Sequence, residues 1–92
     1  MRRLEIVHLR LTGPRPAGLV RRIRESVTTQ RDLVELRIYE RSEVGTDLGI
    51  HLLIDAGSED ADVTELGVRL ADALRAHGMV EHSVWTEAEP AN

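Results

Sequence analysis

Apolar and polar residues alternate with period two in four stretches of the chain, at 3–11, 33–40, 47–55 and 80–87. Such alternation is typical of β-strands that bury one face. Two other segments, at 16–27 and 59–77, space their apolar residues as amphipathic helices do. The stripe of the first helix is Leu19, Val20, Ile23 and Val27, and that of the second is Val63, Leu66, Leu70, Ala73 and Leu74. The pattern predicts the element order β-α-β-β-α-β.

Local signals set the expected ends of these helices. Pro16 suits a first helical turn, because its missing N–H has no partner there. Ser58 is expected to cap the second helix. That helix should end at His77, with Gly78 as the left-handed residue after it and Met79 packing back on the last turn.

The two faces of the predicted sheet differ in character. One parity is almost entirely aliphatic and predicts the core. The other parity, which we call the mixed face, consists of Leu4, Ile6, His8, Arg10, Glu35, Arg37, Tyr39, His51, Leu53, Ser83 and Trp85. This set is too apolar to be left wholly in water and too polar for an ordinary core. We therefore expect it to form a ligand pocket or a dimer interface.

The element order is that of the split βαβ, or ferredoxin-like, arrangement. Right-handed crossovers then give an antiparallel sheet with strand order 4-1-3-2 and both helices on one face. The predicted fold class is α+β. Because the helices cover the aliphatic face, the mixed face is left uncovered by the chain itself.

Four residues of the mixed face carry candidate chemistry. If the hairpin between strands 2 and 3 centres near Val44, Arg37 faces His51 and Tyr39 faces Gly49, although a slip by two residues would preserve the same faces. A histidine can act as acid or base, and an arginine can hold an oxyanion. His8, His51, Arg37 and Tyr39 are thus candidate catalytic residues for proton transfer on a small carbonyl compound. Alternatively, they hydrogen-bond one another inside a dimer.

Length and composition limit the function classes. We assign residues 1–87 to a single domain and 88–92 to a short C-terminal tail. Cysteine is absent, which excludes disulfides and thiolate metal sites. Two histidines are too few for a zinc site, so no metal or cofactor is expected. No apolar run approaches the roughly 18 residues of a membrane span, and we expect a cytoplasmic protein with no membrane partner.

Charge is unevenly distributed along the chain. Residues 1–24 carry seven arginines and one glutamate, a net +6, and the remaining 68 residues carry five arginines and fifteen acids, a net −10. Arginines on helix 1 facing acids on helix 2 would account for this split without nucleic acid, which is not expected as a partner. His82 lies on the aliphatic parity, where it should be a core-edge histidine hydrogen-bonded near a helix end.

The chain resembles the dimeric α/β-barrel superfamily in its order of elements. The resemblance is also carried by the stretch Ile-Val-His-Leu-Arg-Leu in strand 1 and by the stretch Asp-Leu-Gly-Ile-His-Leu-Leu-Ile-Asp in strand 3. The resemblance implies a homodimer that joins its open sheet faces into a barrel. It also implies a role in binding a small organic ligand, or a cofactor-independent monooxygenase or isomerase activity. A second resemblance, carried by Pro16-Ala17-Gly18-Leu19 before helix 1, is to ACT-type regulatory domains, which implies amino-acid binding near residues 13–18.

Overall fold

The computed structural model describes residues 2–27, 32–55 and 64–88. They form four strands and two helices: β1 (Arg2–Leu11), α1 (Leu19–Val27), β2 (Leu33–Glu40), β3 (Asp47–Asp55), α2 (Glu65–Leu74) and β4 (Gly78–Trp85). All strand pairs are antiparallel, in the order β2-β3-β1-β4. Read from the other edge, this order is 4-1-3-2. The chain is an α+β protein whose layout is compatible with a ferredoxin-like fold.

The core lies between the sheet and the two helices. Alternate residues of β1 and β3 that face the helices are almost fully buried, because period-two alternation turns them to the same side of the sheet. They pack against one face of each helix. The buried apolar residues are Val7, Leu9, Leu11, Leu19, Ile23, Val27, Leu48, Ile50, Leu52, Ile54, Leu66, Leu70, Ala71 and Leu74. The two helices therefore cover the aliphatic face, as the sequence predicts.

Helix α1 begins three residues later than predicted. Gly18 has a φ of 76°, in the left-handed region, so helical geometry starts only at Leu19. The Leu19 N–H donates to the Pro16 carbonyl in the turn that precedes the helix (3.2 Å). Pro16 thus belongs to this turn and not to the first turn of the helix.

Helix α2 ends three residues before the predicted end at His77. The expected cap Ser58 and start Glu59 lie outside the described residues, and the described helix begins at Glu65 with Thr64 as its N-cap. It ends at Leu74, and residues 75–77 form a turn. On its inward face Ala71 is buried, whereas the predicted Ala73 is exposed.

Gly78 begins strand β4 and does not have a left-handed φ, so its predicted role after the helix is wrong. Its glycine serves a different purpose, since a Cβ there would lie 2.9 Å from the Arg10 carbonyl carbon and 3.0 Å from the Leu11 Cα. The close approach of β4 to β1 requires the missing side chain. Met79 accordingly points away from the helix and is 69% exposed.

Candidate functional site

The mixed face forms a grid of rows across the sheet. From β4 to β2 the rows are Met79–Arg10–Asp47, Glu81–His8–Gly49–Tyr39, Ser83–Ile6–His51–Arg37 and Trp85–Leu4–Leu53–Glu35. The predicted pairing of Arg37 with His51 and of Tyr39 with Gly49 is confirmed. All eleven predicted mixed-face residues therefore share one side of the sheet.

An open groove of about 400 Å³ lies on this face around Gly49. Gly49 stands between His8 and Tyr39 in its row, and its lack of a side chain leaves the space between them unfilled. The lining residues are Ile6, His8, Tyr39, Glu40, Arg41, Asp47, Gly49 and His51. This volume is within the range of small-molecule sites. Three of the four predicted catalytic residues meet here.

His8 and Asp47 form a hydrogen-bonded pair at one end of the groove. The His8 Nε2–H donates to Asp47 Oδ2 (3.1 Å), and because a carboxylate only accepts, this bond places the proton on Nε2. The neutral ring then keeps a lone pair on Nδ1, which lies 4.0 Å from Glu81 Oε2. A carboxylate that orients an imidazole in this way is a recurring feature of acid–base sites.

Asp47 is 4% exposed although it begins a strand. Burial raises the pKa of this carboxyl, but the hydrogen bonds from His8 and Thr46 and the charge of Arg10 outweigh it, so the net pKa is lower than usual. Arg10 Nε lies 3.6 Å from Oδ1 and Arg41 Nη1 lies 3.6 Å from Oδ2. The buried carboxylate thus holds three cationic or potentially cationic side chains together.

Tyr39 and His51 form the wall at the other end of the groove. Their rings meet edge to face, with centroids 4.8 Å apart and planes at 67°. Partial burial lowers the pKa of His51 below its ordinary value, which favours the neutral imidazole at pH 7. Both residues also line a neighbouring groove of about 200 Å³ with Leu4, Glu35, Arg37 and Leu53.

Arg37 is separated from the His8 end of the site. It forms an ion pair with Glu35 on its own strand, and it lines only the smaller of these two grooves. The arginine nearest to the His8–Asp47 pair within the larger groove is Arg41. The geometry thus favours Arg41 over Arg37 as the cation beside a ligand held by His8.

Large apolar side chains stand exposed on the mixed face beside these grooves. Trp85 is 58% exposed, Met79 69% and Tyr39 47%. The Trp85 Nε1–H donates to Ser83 Oγ (2.8 Å) and holds the indole against the β4 edge. Such a set at one surface is typical of an interface or a ligand site.

The sequence pattern did not single out Asp47 and Arg41, which line the groove, or Glu81, which lies beside His8. Asp47 shares the parity of His51, so extending the alternation by two positions would have identified it. Glu81 similarly shares the parity of Ser83. Arg41 lies one residue beyond the end of β2, yet it continues the alternation of Arg37 and Tyr39 by one step, so extending that alternation would also have indicated it.

A separate polar cluster is buried on the aliphatic face. Glu5 is 2% exposed and accepts hydrogen bonds from the Thr64 N–H (3.1 Å) and from Thr64 Oγ1 (2.8 Å) at the start of α2. His82 bonds to the other oxygen of the same carboxylate. The prediction of a core-edge histidine near a helix end is confirmed for His82, whereas Glu5 was not anticipated.

Other classes of site and partner find no support in the described ranges. Within residues 2–27, 32–55 and 64–88, no group of three or more His, Asp or Glu side chains is arranged to hold a metal ion. No helix in those ranges is long and apolar enough to cross a membrane. Comparison with protein-family models, curated proteins and solved structures finds no match. The function is therefore inferred from the geometry of the mixed face.

Proposed function

We propose that the protein is a homodimer that binds a small organic ligand on the mixed face, in a pocket closed by a second copy of the chain. The observation that carries the proposal is the groove at Gly49, where His8, Tyr39 and His51 converge beside exposed apolar residues. One chain leaves this groove open to water. A second sheet laid over it would exclude water from both the ligand and the apolar residues.

A second copy fits this face because a two-fold interface must be complementary to itself. The mixed face carries both signs of charge, with Arg10 and Arg37 near Glu35 and Glu81. It also presents Trp85, and tryptophan is enriched among residues that dominate interface energies. Among the described residues, the helix side of the sheet is already covered by the packed core.

Trp85 allows a direct test, since it is the only tryptophan. We expect its emission to shift to shorter wavelength as the protein concentration rises, because dimer formation removes the indole from water. Trp85→Arg should give a monomer on size-exclusion chromatography, since it places a charge within the interface. The matched control is Val68→Arg on helix α2, where the valine is 40% exposed away from the mixed face, and it should remain dimeric. Equal behaviour of the two variants would contradict the proposal.

The His8–Asp47 pair favours a second candidate function, proton transfer on a small carbonyl compound. The lone pair on His8 Nδ1 would take a proton from the carbon beside the carbonyl. The C–H electron pair would form the C=C bond of an enolate, and the C=O π pair would move to the oxygen. For a β,γ-unsaturated carbonyl compound the enolate is a dienolate, and return of that proton to its γ-carbon gives the α,β-unsaturated isomer with no co-reactant. Monooxygenation would additionally need molecular oxygen as co-substrate, so isomerisation is the simpler activity. Asp47 would act as a positioning residue.

Deuterium exchange tests this candidate. Loss of the α-proton signals of cyclohexanone in D₂O should be faster with the protein than in buffer, and His8→Ala should remove about 10²-fold or more of that acceleration. A His8→Ala, His51→Ala double variant with the full exchange rate would contradict a catalytic role. If added amino acids shift the NMR signals of residues 13–18 alone, the result would instead favour the ACT-type alternative.

A further inference from the structure

We propose that the ligand of the groove at Gly49 is a small planar carboxylate or enolate, whose anionic group lies between Arg10 and Arg41 and whose planar part lies along Tyr39 and His51. This inference rests on the proposed ligand-binding function and specifies its chemistry. It is carried by the arrangement of charge around Asp47 and by the shape of the opposite wall.

The Asp47 end of the groove has an excess of positive charge from Arg41, which lines the groove, and from Arg10, which contacts Asp47 from outside the groove lining. Asp47 has its two oxygens engaged by His8 (3.1 Å) and Thr46 (3.2 Å), while Arg10 and Arg41 both lie 3.6 Å from it. One carboxylate therefore faces two guanidinium groups. Each guanidinium presents five N–H donors in a planar fork, so both retain donors for a second anion.

The other acids near the groove do not cancel this excess. Glu40 is paired with Arg15 through a 2.7 Å ion pair. Glu81 lies on the β4 side of His8, with its side chain 88% exposed, where solvent screens its charge. Among the ion-paired groups around Asp47 and Glu40, the three arginines Arg10, Arg15 and Arg41 outnumber the two carboxylates by one.

The opposite wall favours a flat group. The edge-to-face pair of Tyr39 and His51 presents ring surfaces 4.8 Å apart between centroids. Ile6 contributes an apolar floor between His8 and His51. A planar organic acid can place its ring or double bond against this wall and its carboxylate toward the arginines. A compact inorganic anion such as phosphate would use only the charged end.

Three probes test the ligand class by amide chemical shifts in titrations of the full chain: benzoate, benzamide and inorganic phosphate. We expect benzoate to shift the amides of residues 39, 41, 47, 49 and 51 with an affinity about tenfold or more above that of benzamide, because the carboxylate gains charge-assisted hydrogen bonds. Arg10→Ala with Arg41→Ala should reduce benzoate affinity by about tenfold or more. Arg22→Ala with Arg24→Ala removes the same charge from exposed positions of α1 and should leave benzoate affinity unchanged.

Each contrary result overturns a defined part of the inference. Equal affinity for benzoate and benzamide would retain the pocket and refute the anionic ligand. An equal loss in the α1 double variant would show that overall charge and not the groove attracts benzoate. Phosphate binding as tight as benzoate at the same amides would refute the planar ligand. Failure of every probe to shift these amides, in a protein that is also monomeric, would overturn the proposed function itself.

Discussion

Substitution of Gly67 by alanine should strongly destabilise the protein, although alanine is the better helix former. Gly67 lies in the first turn of α2, and its N–H donates to the Thr64 side chain that caps the helix (3.0 Å). A Cβ at this position would overlap the carboxylate of Glu5 and would lie 2.8 Å from His82 Nε2. The glycine therefore creates the space in which the buried carboxylate meets its partners.

The expected magnitude follows from two opposing terms. An alanine in place of glycine within a helix stabilises by about 1 kcal/mol. Displacing Glu5 weakens its bonds to Thr64 and His82, and each hydrogen bond to a charged group contributes about 1.5–3 kcal/mol. Loss of two such bonds outweighs the helix term, so we expect a net destabilisation of about 2–5 kcal/mol. That is a large fraction of the roughly 5–15 kcal/mol stability of an ordinary domain.

Urea unfolding followed by circular dichroism measures this effect. Gly13→Ala and Gly45→Ala are the controls, since a Cβ at either position meets nothing within 4 Å and neither residue has a positive φ. They should lie within about 1 kcal/mol of the parent protein. In a Glu5→Ala background, Gly67→Ala should cost much less, because the overlapping group is gone. A Gly67→Ala protein as stable as the parent would show that Glu5 can move aside without losing its bonds.

Three further predictions concern the strand approach and the titrating groups. Gly78→Ala should destabilise the protein by about 2 kcal/mol or more in the same unfolding assay, since the alanine Cβ would lie 2.9–3.0 Å from the rigid backbone of β1. Unchanged stability would show that β4 can move away from β1. Asp47→Asn should destabilise the protein at pH 7. The difference in unfolding free energy from the parent should shrink as the pH falls below the ordinary carboxyl pKa of 3.8 and through the lower folded-state pKa, because protonation of Asp47 then removes the same charge. A difference that persists at acid pH would contradict this. The pKa of His51 measured by NMR should lie below its ordinary value of 6.5. Its contribution to stability should fall as the pH drops from 6.5 through the folded-state pKa. A titration midpoint above 6.5 would contradict the partial burial of this side chain.

Strand alternation predicts most of the sheet because one face packs against the helices and the other does not. Core positions such as Val7 and Ile50 must be apolar, and a one-residue slip would expose them. Because the apolar face must stay buried, the position of the hairpin centre alone predicts that Arg37 lies opposite His51. The alternation alone therefore identifies the mixed face as a set.

Features that depend on close three-dimensional approach were not accessible from the pattern. Gly78 follows a helix, which favours a left-handed cap, yet its role is set by the backbone of β1. Glu5 interrupts an apolar parity, and only the proximity of Thr64 and His82 explains why a carboxylate can be buried there. For Gly78 and Glu5 the decisive neighbours lie far away in the sequence, since Thr64 is 59 residues from Glu5.

Sedimentation equilibrium of the parent protein at micromolar concentration measures whether the chain forms a dimer. Because we propose that a second copy closes the groove and covers Trp85, we expect a mass of twice the 10.3 kDa chain. A mass of one chain across the accessible concentration range would contradict it.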